Sequence, residues 1–275
     1  MALNYILILL ATGLVTGFAS GLLGVGGAFI MTPVQYYVYQ QIGVDPDIAI
    51  RLAFGTNLLV ILPTALSGTW SHHRHGNVRW KSAIIMGSCS LVGGLVGATI
   101  SSHIPGEILK MAFGTLVLFS AVRMVIGTRL TQSESKPREN TWLLVAWAIP
   151  IGIVTGMLGI GGGVIVIPVM TLVFKYSMQK AAGTSLAMMI FTSIGGVIGY
   201  IINGVNMFDL PAFSIGYVNI QVWFLLAVTS TVMAQFGARM SRKIPEKPLR
   251  YIFVVLMLYV GLRMLGFFEL LRLNI

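Results

Sequence analysis

Two glycine-rich stretches, Gly24-Val25-Gly26-Gly27 and Gly159-Ile160-Gly161-Gly162-Gly163, have the clearest capacity for chemistry in this chain. Glycine permits left-handed backbone and lets a ligand come close to the main chain. The apolar runs that follow, 28–40 and 163–175, fall well short of the about 20 residues a membrane-spanning helix needs. They read as half-helices or re-entrant hairpins. A helix that starts after such a break has N–H groups without partners, and its dipole puts partial positive charge there. The chemistry this suggests is anion binding by bare amides. Neither stretch is a dinucleotide fingerprint, because Phe29 and Val164 stand where the third glycine of G-x-G-x-x-G would be.

Gly55-Thr56-Asn57 and Gly183-Thr184-Ser185 form a second matched pair, each inside a long apolar run. Asn57 and Ser185 are good N-cap types with Thr56 and Thr184 beside them, so a second pair of helix breaks is expected here. The expected binding set is the amides of Gly26, Gly27, Gly161, Gly162 and Gly163 with the side chains of Thr56, Asn57, Thr184 and Ser185. Arg51 joins it because it precedes Gly55 by about one helical turn. Gln235, polar within an apolar run, is read as lining the path, with a helix–helix hydrogen bond as the alternative. Leucine at position 57 or 185 is expected to abolish binding and leave the protein folded. Pro33 and Pro168 release the carbonyls of Phe29 and Val164, and the default consequence is a kink. His72, His73 and His75 lie in a basic loop and read as a solvated face.

All eight acidic residues (Asp45, Asp47, Glu107, Glu134, Glu139, Asp209, Glu246, Glu269) fall in loops or at the ends of apolar runs. A carboxylate proton relay inside a membrane is therefore not expected. The single cysteine, Cys89, excludes an internal disulfide and a cysteine-based zinc site. No metal or cofactor is called for. H-E-x-x-H and G-x-S-x-G motifs are absent, so the chain does not read as an enzyme.

The elements that must position these residues belong to a bilayer. The chain is 56% hydrophobic and 9% charged, whereas soluble domains carry about 25% charged residues. Apolar runs cover about 3–23, 28–40, 46–71, 82–101, 106–128, 142–158, 163–175, 179–203, 217–238 and 249–268. The expected fold is an all-α polytopic membrane protein with broken or re-entrant helices. The first run lacks a basic start, so no cleavable leader is expected. The net charge of +10 comes from short clusters between runs, as in cytoplasmic loops, and does not point to nucleic acid.

The sequence also repeats. Gly21-Leu22-Leu23-Gly24-Val25-Gly26-Gly27 returns as Gly156-Met157-Leu158-Gly159-Ile160-Gly161-Gly162, and Pro33-Val34 returns as Pro168-Val169. Gly55-Thr56 matches Gly183-Thr184, Ile104-Pro105 matches Ile244-Pro245, and Arg123-Met124 matches Arg263-Met264, all in order. Two repeats, 1–128 and 142–275, are joined by a polar cytoplasmic linker, 129–141. The basic loop His72–Lys81 matches the loop Asn203–Asn219, which lacks Lys and Arg. Ser101–Lys110, with one Lys, matches the strongly basic Arg239–Arg250. Under the positive-inside rule the halves are then inverted, an architecture common among secondary transporters, with both termini outside. Three or five crossings per half both satisfy this pattern.

The paired Gly21–Pro33 and Gly156–Pro168 segments, each followed by Gly-Thr-Asn/Ser, resemble the sulfite exporter (TauE/SafE-like) family of permeases over nearly the whole chain. The resemblance implies passage of a small sulfur-containing anion, sulfite or an organosulfonate, across the cell membrane. The residues by themselves reach only a small anionic substrate in a lipid bilayer. They leave a carrier and a passive anion channel open, and they are compatible with a homo-oligomer.

Overall fold

The structure, a computed structural model, describes residues 2–24, 26–126, 140–240 and 246–267. Most of the expected linker, 129–139, lies outside the described residues. Ten helices and one small hairpin make up the described chain. They are α1 (Leu3–Leu23), α2 (Ala28–Gln41), α3 (Pro46–Arg74), α4 (Trp80–His103), α5 (Gly106–Ile126), α6 (Thr141–Met157), α7 (Gly163–Leu172), α8 (Met178–Gly204), β1 (Ser214–Ile215), β2 (Val218–Asn219), α9 (Ile220–Met240) and α10 (Glu246–Met264).

Local signals account for the ends. Asp45 caps α3, its side chain accepting from the Asp47 amide, with Pro46 in the first turn. Asn140 caps α6 by accepting from the Trp142 amide at 3.0 Å. α1 closes on Gly24, at φ +71°, whose amide returns to the Ser20 carbonyl, a left-handed C-cap. Ser214 and Ile215 pair antiparallel with Asn219 and Val218 across a turn holding Gly216. Asn219 then accepts from the Val222 amide at 2.9 Å and so starts α9.

Five helices, α1, α3, α4, α8 and α9, are long and apolar enough to cross a membrane. α3 and α8 form the centre, with 83% and 67% of their most apolar windows buried, against 33% for α9. The outer faces are apolar as well as exposed, as with Val92, Phe119, Phe224 and Val232. An apolar exterior of this kind is stable only against lipid. The protein is an all-α, multi-pass membrane protein.

Glycines set the closest helix contacts, as expected where lipid removes the usual hydrophobic drive and packing must hold the helices together. Gly13, Gly17 and Gly21 of α1 meet Thr229, Ser230 and Ala234 of α9 in rising order, so those two helices run the same way. Gly152 and Gly156 of α6 meet Ser90 and Gly94 of α4 likewise, and Gly195 and Gly199 of α8 meet Leu91 and Leu95 of α4. α9 runs with α3: Trp223 Nε1 donates to Leu59 O, Ser230 bonds Thr64, and Ser67 donates to Thr231 O. α8 runs against α3, with Gly55 meeting Tyr200 and Gly183 meeting His72, so α4, which runs with α8, returns against the direction of α3.

Polar contacts join helices before the linker to helices after it. Thr64 and Ser230 hydroxyls are 2.9 Å apart, and Thr192 and Ser90 hydroxyls 2.8 Å. His72 Nε2 stands 3.1 Å from Gly21 O, at the last turn of α1. Tyr200 donates to Met157 O, at the last turn of α6, over 2.7 Å. His72 is therefore buried inside α3, 2% exposed, and does not belong to a solvated loop. The basic run begins inside the helix, so loop composition alone placed it too far out.

Candidate functional site

Both glycine clusters break the chain. Gly26 and Gly27 take φ of +88° and +68°, and Gly161 and Gly162 take +74° and +113°. α2 and α7 start directly after them. Gly26, Gly27, Gly161, Gly162 and Gly163 are buried. Among the described residues their N–H groups have no hydrogen-bond partner.

The two breaks meet. A β-carbon added at Gly26 would stand 3.3 Å from the Ile160 carbonyl oxygen and would collide with the Met189 methyl group. One at Gly161 would lie 2.7 Å from Ile61 Cδ1 and 3.3 Å from the same methyl. Ile61 of α3 and Met189 of α8 thus lie beside the crossing. Gly24 packs on Ala182 of α8, and Gly159 packs on Phe54 of α3. Each break is seated on the long helix of the other half.

The second expected pair of breaks does not exist. α3 runs unbroken through Gly55-Thr56-Asn57, and α8 through Gly183-Thr184-Ser185. Their glycines serve close approach. A β-carbon at Gly55 would strike the Tyr217 carbonyl oxygen, and one at Gly183 would strike that of Asn77. The adjacent hydroxyls then satisfy the connection that comes so near. Thr56 Oγ1 accepts from the Asn219 amide at 2.9 Å, and Thr184 Oγ1 from the Arg79 amide at 3.0 Å. Each Gly-Thr step therefore docks the start of a helix from the other half. Neither step is followed by a short run, the signal that marked the true breaks.

Removing either hydroxyl leaves a backbone N–H unpaired, which costs about 1–3 kcal/mol when buried. Thr56→Val and Thr184→Val are each expected to lower the thermal midpoint of the purified protein. An unchanged midpoint in both would remove this docking role.

Asn57 and Ser185 turn towards the breaks. Ser185 shares its proton between the carbonyls of Gly24 at 3.1 Å and Ala182 at 2.9 Å. Asn57 Nδ2 donates to Thr32 Oγ1 at 2.7 Å, and its Oδ1 accepts from Gln35 Nε2. Tyr39 extends the group, its hydroxyl 3.3 Å from Thr56 Oγ1. Thr32, Gln35 and Tyr39 were missed by sequence reading. Their spacing on α2 gives one helix face, and polar side chains within so short an apolar run were the available signal.

Arg51 and Gln235 are not brought to the crossing. The Arg51 guanidinium donates to Ser101 O at 3.3 Å and Ile104 O at 2.8 Å, closing the end of α4. It also stands 3.7 Å from Asp47 Oδ2. Gln235 lines a cavity of ≈ 290 Å³ with Trp70, Ser71, Arg74, His75 and Arg239, between the final turns of α3 and α9. Asp45 and Asp47 at the start of α3 and Glu107 at the start of α5 carry carboxylates at helix ends. Asp209 lies in the connection between α8 and the hairpin.

Helices broken at glycine, seated on the partner half and wrapped in an apolar exterior define a multi-pass membrane protein of the permease type. The family model described as Sulfite exporter TauE/SafE matches residues 9–264, and the chain belongs to that family. It is 28% identical over 260 residues to "Probable membrane transporter protein MJ0441" of Methanocaldococcus jannaschii, covering 94% of both chains. It is 25% identical to a "Probable membrane transporter protein" of Haemophilus influenzae, covering 95% of this chain and 98% of the relative. A protein of the same description from Xylella fastidiosa is 31% identical over 191 residues, 68% of this chain and 70% of the relative. No solved structure matches.

Proposed function

We propose that this membrane transporter carries a small sulfur-containing anion, sulfite or an organosulfonate, by alternating access around the crossing of its two glycine breaks. One observation carries the reading: among the described residues, the N–H groups of buried Gly26, Gly27, Gly161, Gly162 and Gly163 have no partner where the breaks meet. Buried amides left unpaired are rare, and an oxyanion is the ligand whose charge and oxygens they match. The carboxylates named above stand at helix ends and in a connection, so they do not oppose such a charge. The family's description as a sulfite exporter supports a sulfur oxyanion.

Alternating access is commonly built from two structurally similar, oppositely inserted halves. The contact registers support that arrangement. α1 and α3 both run with α9, while α6 and α8 both run with α4, the strand of chain that returns from α3. α1, α3 and α4 then oppose their sequence mates α6, α8 and α9. We place the protein in the cell membrane with both termini on the outer face, in line with the basic loops.

The test is uptake by proteoliposomes holding the purified chain, with sulfite and methanesulfonate as probes. Saturable uptake accelerated by the same anion on the far side is the expected result. Absence of transport for every sulfur oxyanion tried sinks the substrate class, and unitary currents in a planar bilayer replace the carrier by a channel.

A further inference from the structure

The two halves differ at one place beside the crossing. In the first half Thr32, Gln35 and Asn57 form a hydrogen-bonded cluster, with the Tyr39–Thr56 pair beside it, and all five are 0% exposed. Aligning Pro33 with Pro168 places Ile167, Met170 and Phe174 at the positions of Thr32, Gln35 and Tyr39. Ser185, the mate of Asn57, spends its proton on backbone carbonyls. Apolar side chains therefore serve at the same positions of the second half, so packing does not demand the polar ones.

The cluster is also incomplete. Gln35 Oε1 is buried and has no hydrogen-bond partner among the described residues. The two carboxamides have a second consistent orientation, reached by turning both together. Thr32 then donates to Asn57 Oδ1 and Asn57 Nδ2 donates to Gln35 Oε1. Both contacts survive, and the unpaired group becomes the Gln35 NH₂. In that second orientation a buried donor faces no acceptor among the described residues. An anion supplies the missing acceptor and selects the second orientation.

Its position fits. On α3, Phe54 packs on Gly159 and Ile61 on Gly161. Asn57 lies between them, within about 60° of that line at 100° per residue. α2 carries Thr32 and Gln35 and itself starts at the first break. The cluster thus joins α2, which leaves the first break, to the stretch of α3 whose neighbouring turns pack on the second break.

We propose that Gln35, held by Asn57 and Thr32, forms a one-sided binding subsite that donates hydrogen bonds to an oxygen of the transported anion and draws it off the pseudo-two-fold axis towards the first half. The proposal rests on the anion-carrier reading above. Gln35 is then a specificity determinant with no counterpart in the second half.

The test measures binding of sulfite and of methanesulfonate to the purified full chain by calorimetry, beside the thermal midpoint of the ligand-free protein. Gln35→Met installs the residue type of the equivalent position. It is expected to weaken binding about tenfold or more, the size of a hydrogen bond to a charged group, and to lower the ligand-free midpoint as well, because Asn57 loses a buried partner. Gln35→Glu keeps the size, brings a carboxylate to the anion, and is expected to weaken binding further. Should Gln35→Met fail to fold, Gln35→Glu carries the test, with the same expectation for binding. Wild-type binding retained in the folded variants, with or without a lowered midpoint, makes Gln35 structural and overturns the subsite while leaving the carrier reading in place. If the wild-type chain binds neither probe, the carrier reading itself falls and the subsite with it.

Discussion

Gly24→Ala and Gly159→Ala are each expected to cost the protein about 2–5 kcal/mol and to remove most of the folded, monodisperse material. Two effects add. Both residues have φ near +70° (+71° and +64°), where an L side chain costs about 1–2 kcal/mol. The new methyl would also meet backbone. At Gly24 it would lie 2.7 Å from Ala182 Cα and 2.8 Å from Ala182 O. At Gly159 it would collide with Phe54 Cα and lie 2.7 Å from Phe54 O. Backbone of a central helix cannot step aside as a side chain can, so overpacking adds about 1–3 kcal/mol. Gly43→Ala separates the terms. Gly43 has φ +84° but nothing within 4 Å of its added carbon, and should lose about 1–2 kcal/mol. Thermal midpoints in detergent decide it. If all three variants fall equally, the seating of each break on the other half is not what holds the crossing together.

Asn57→Leu is expected to abolish transport and also to destabilise the fold by about 2–6 kcal/mol, since two buried polar partners lose their bonds at about 1–3 kcal/mol each. The partners are Gln35 and Thr32, both fully buried. Sequence reasoning expected a leucine here to leave the protein folded, because Asn57 was placed at a helix break with only a ligand to satisfy. In the folded chain it bridges α2 and α3. Asn57→Ser, which borrows the residue of the matching position 185, is the gentler probe. It should retain folded protein while initial uptake rates fall at least tenfold, about 1.4 kcal/mol. Normal uptake by a folded Asn57→Ser protein would take Asn57 out of the path.

The second pair of breaks is where reading along the chain went astray. Gly-Thr-Asn and Gly-Thr-Ser have the composition of a helix start, and composition is what a local reading weighs. The hydroxyls of Thr56 and Thr184 take their hydrogens from Asn219 and Arg79. Those donors are far away in sequence and belong to the other half. The polar face of α2 was hidden for a related reason. Which face of a short helix meets α3 depends on the angle at which it leaves Gly27, and no neighbouring residue encodes that angle.

Membrane residence, the approximate positions of the helices and the two true breaks were decided by the sequence alone. Transfer of apolar segments into lipid is a sum over consecutive residues, and clustered glycines before a run too short to span mark a break without help from afar. α2 and α7 accordingly begin at residues 28 and 163, as the runs do. Tertiary structure decided what each polar side chain does. Buried hydrogen bonds must be closed by whichever partner packing supplies. Packing here joins residues such as Thr64 and Ser230 from opposite halves, so their roles exist only once the halves have met.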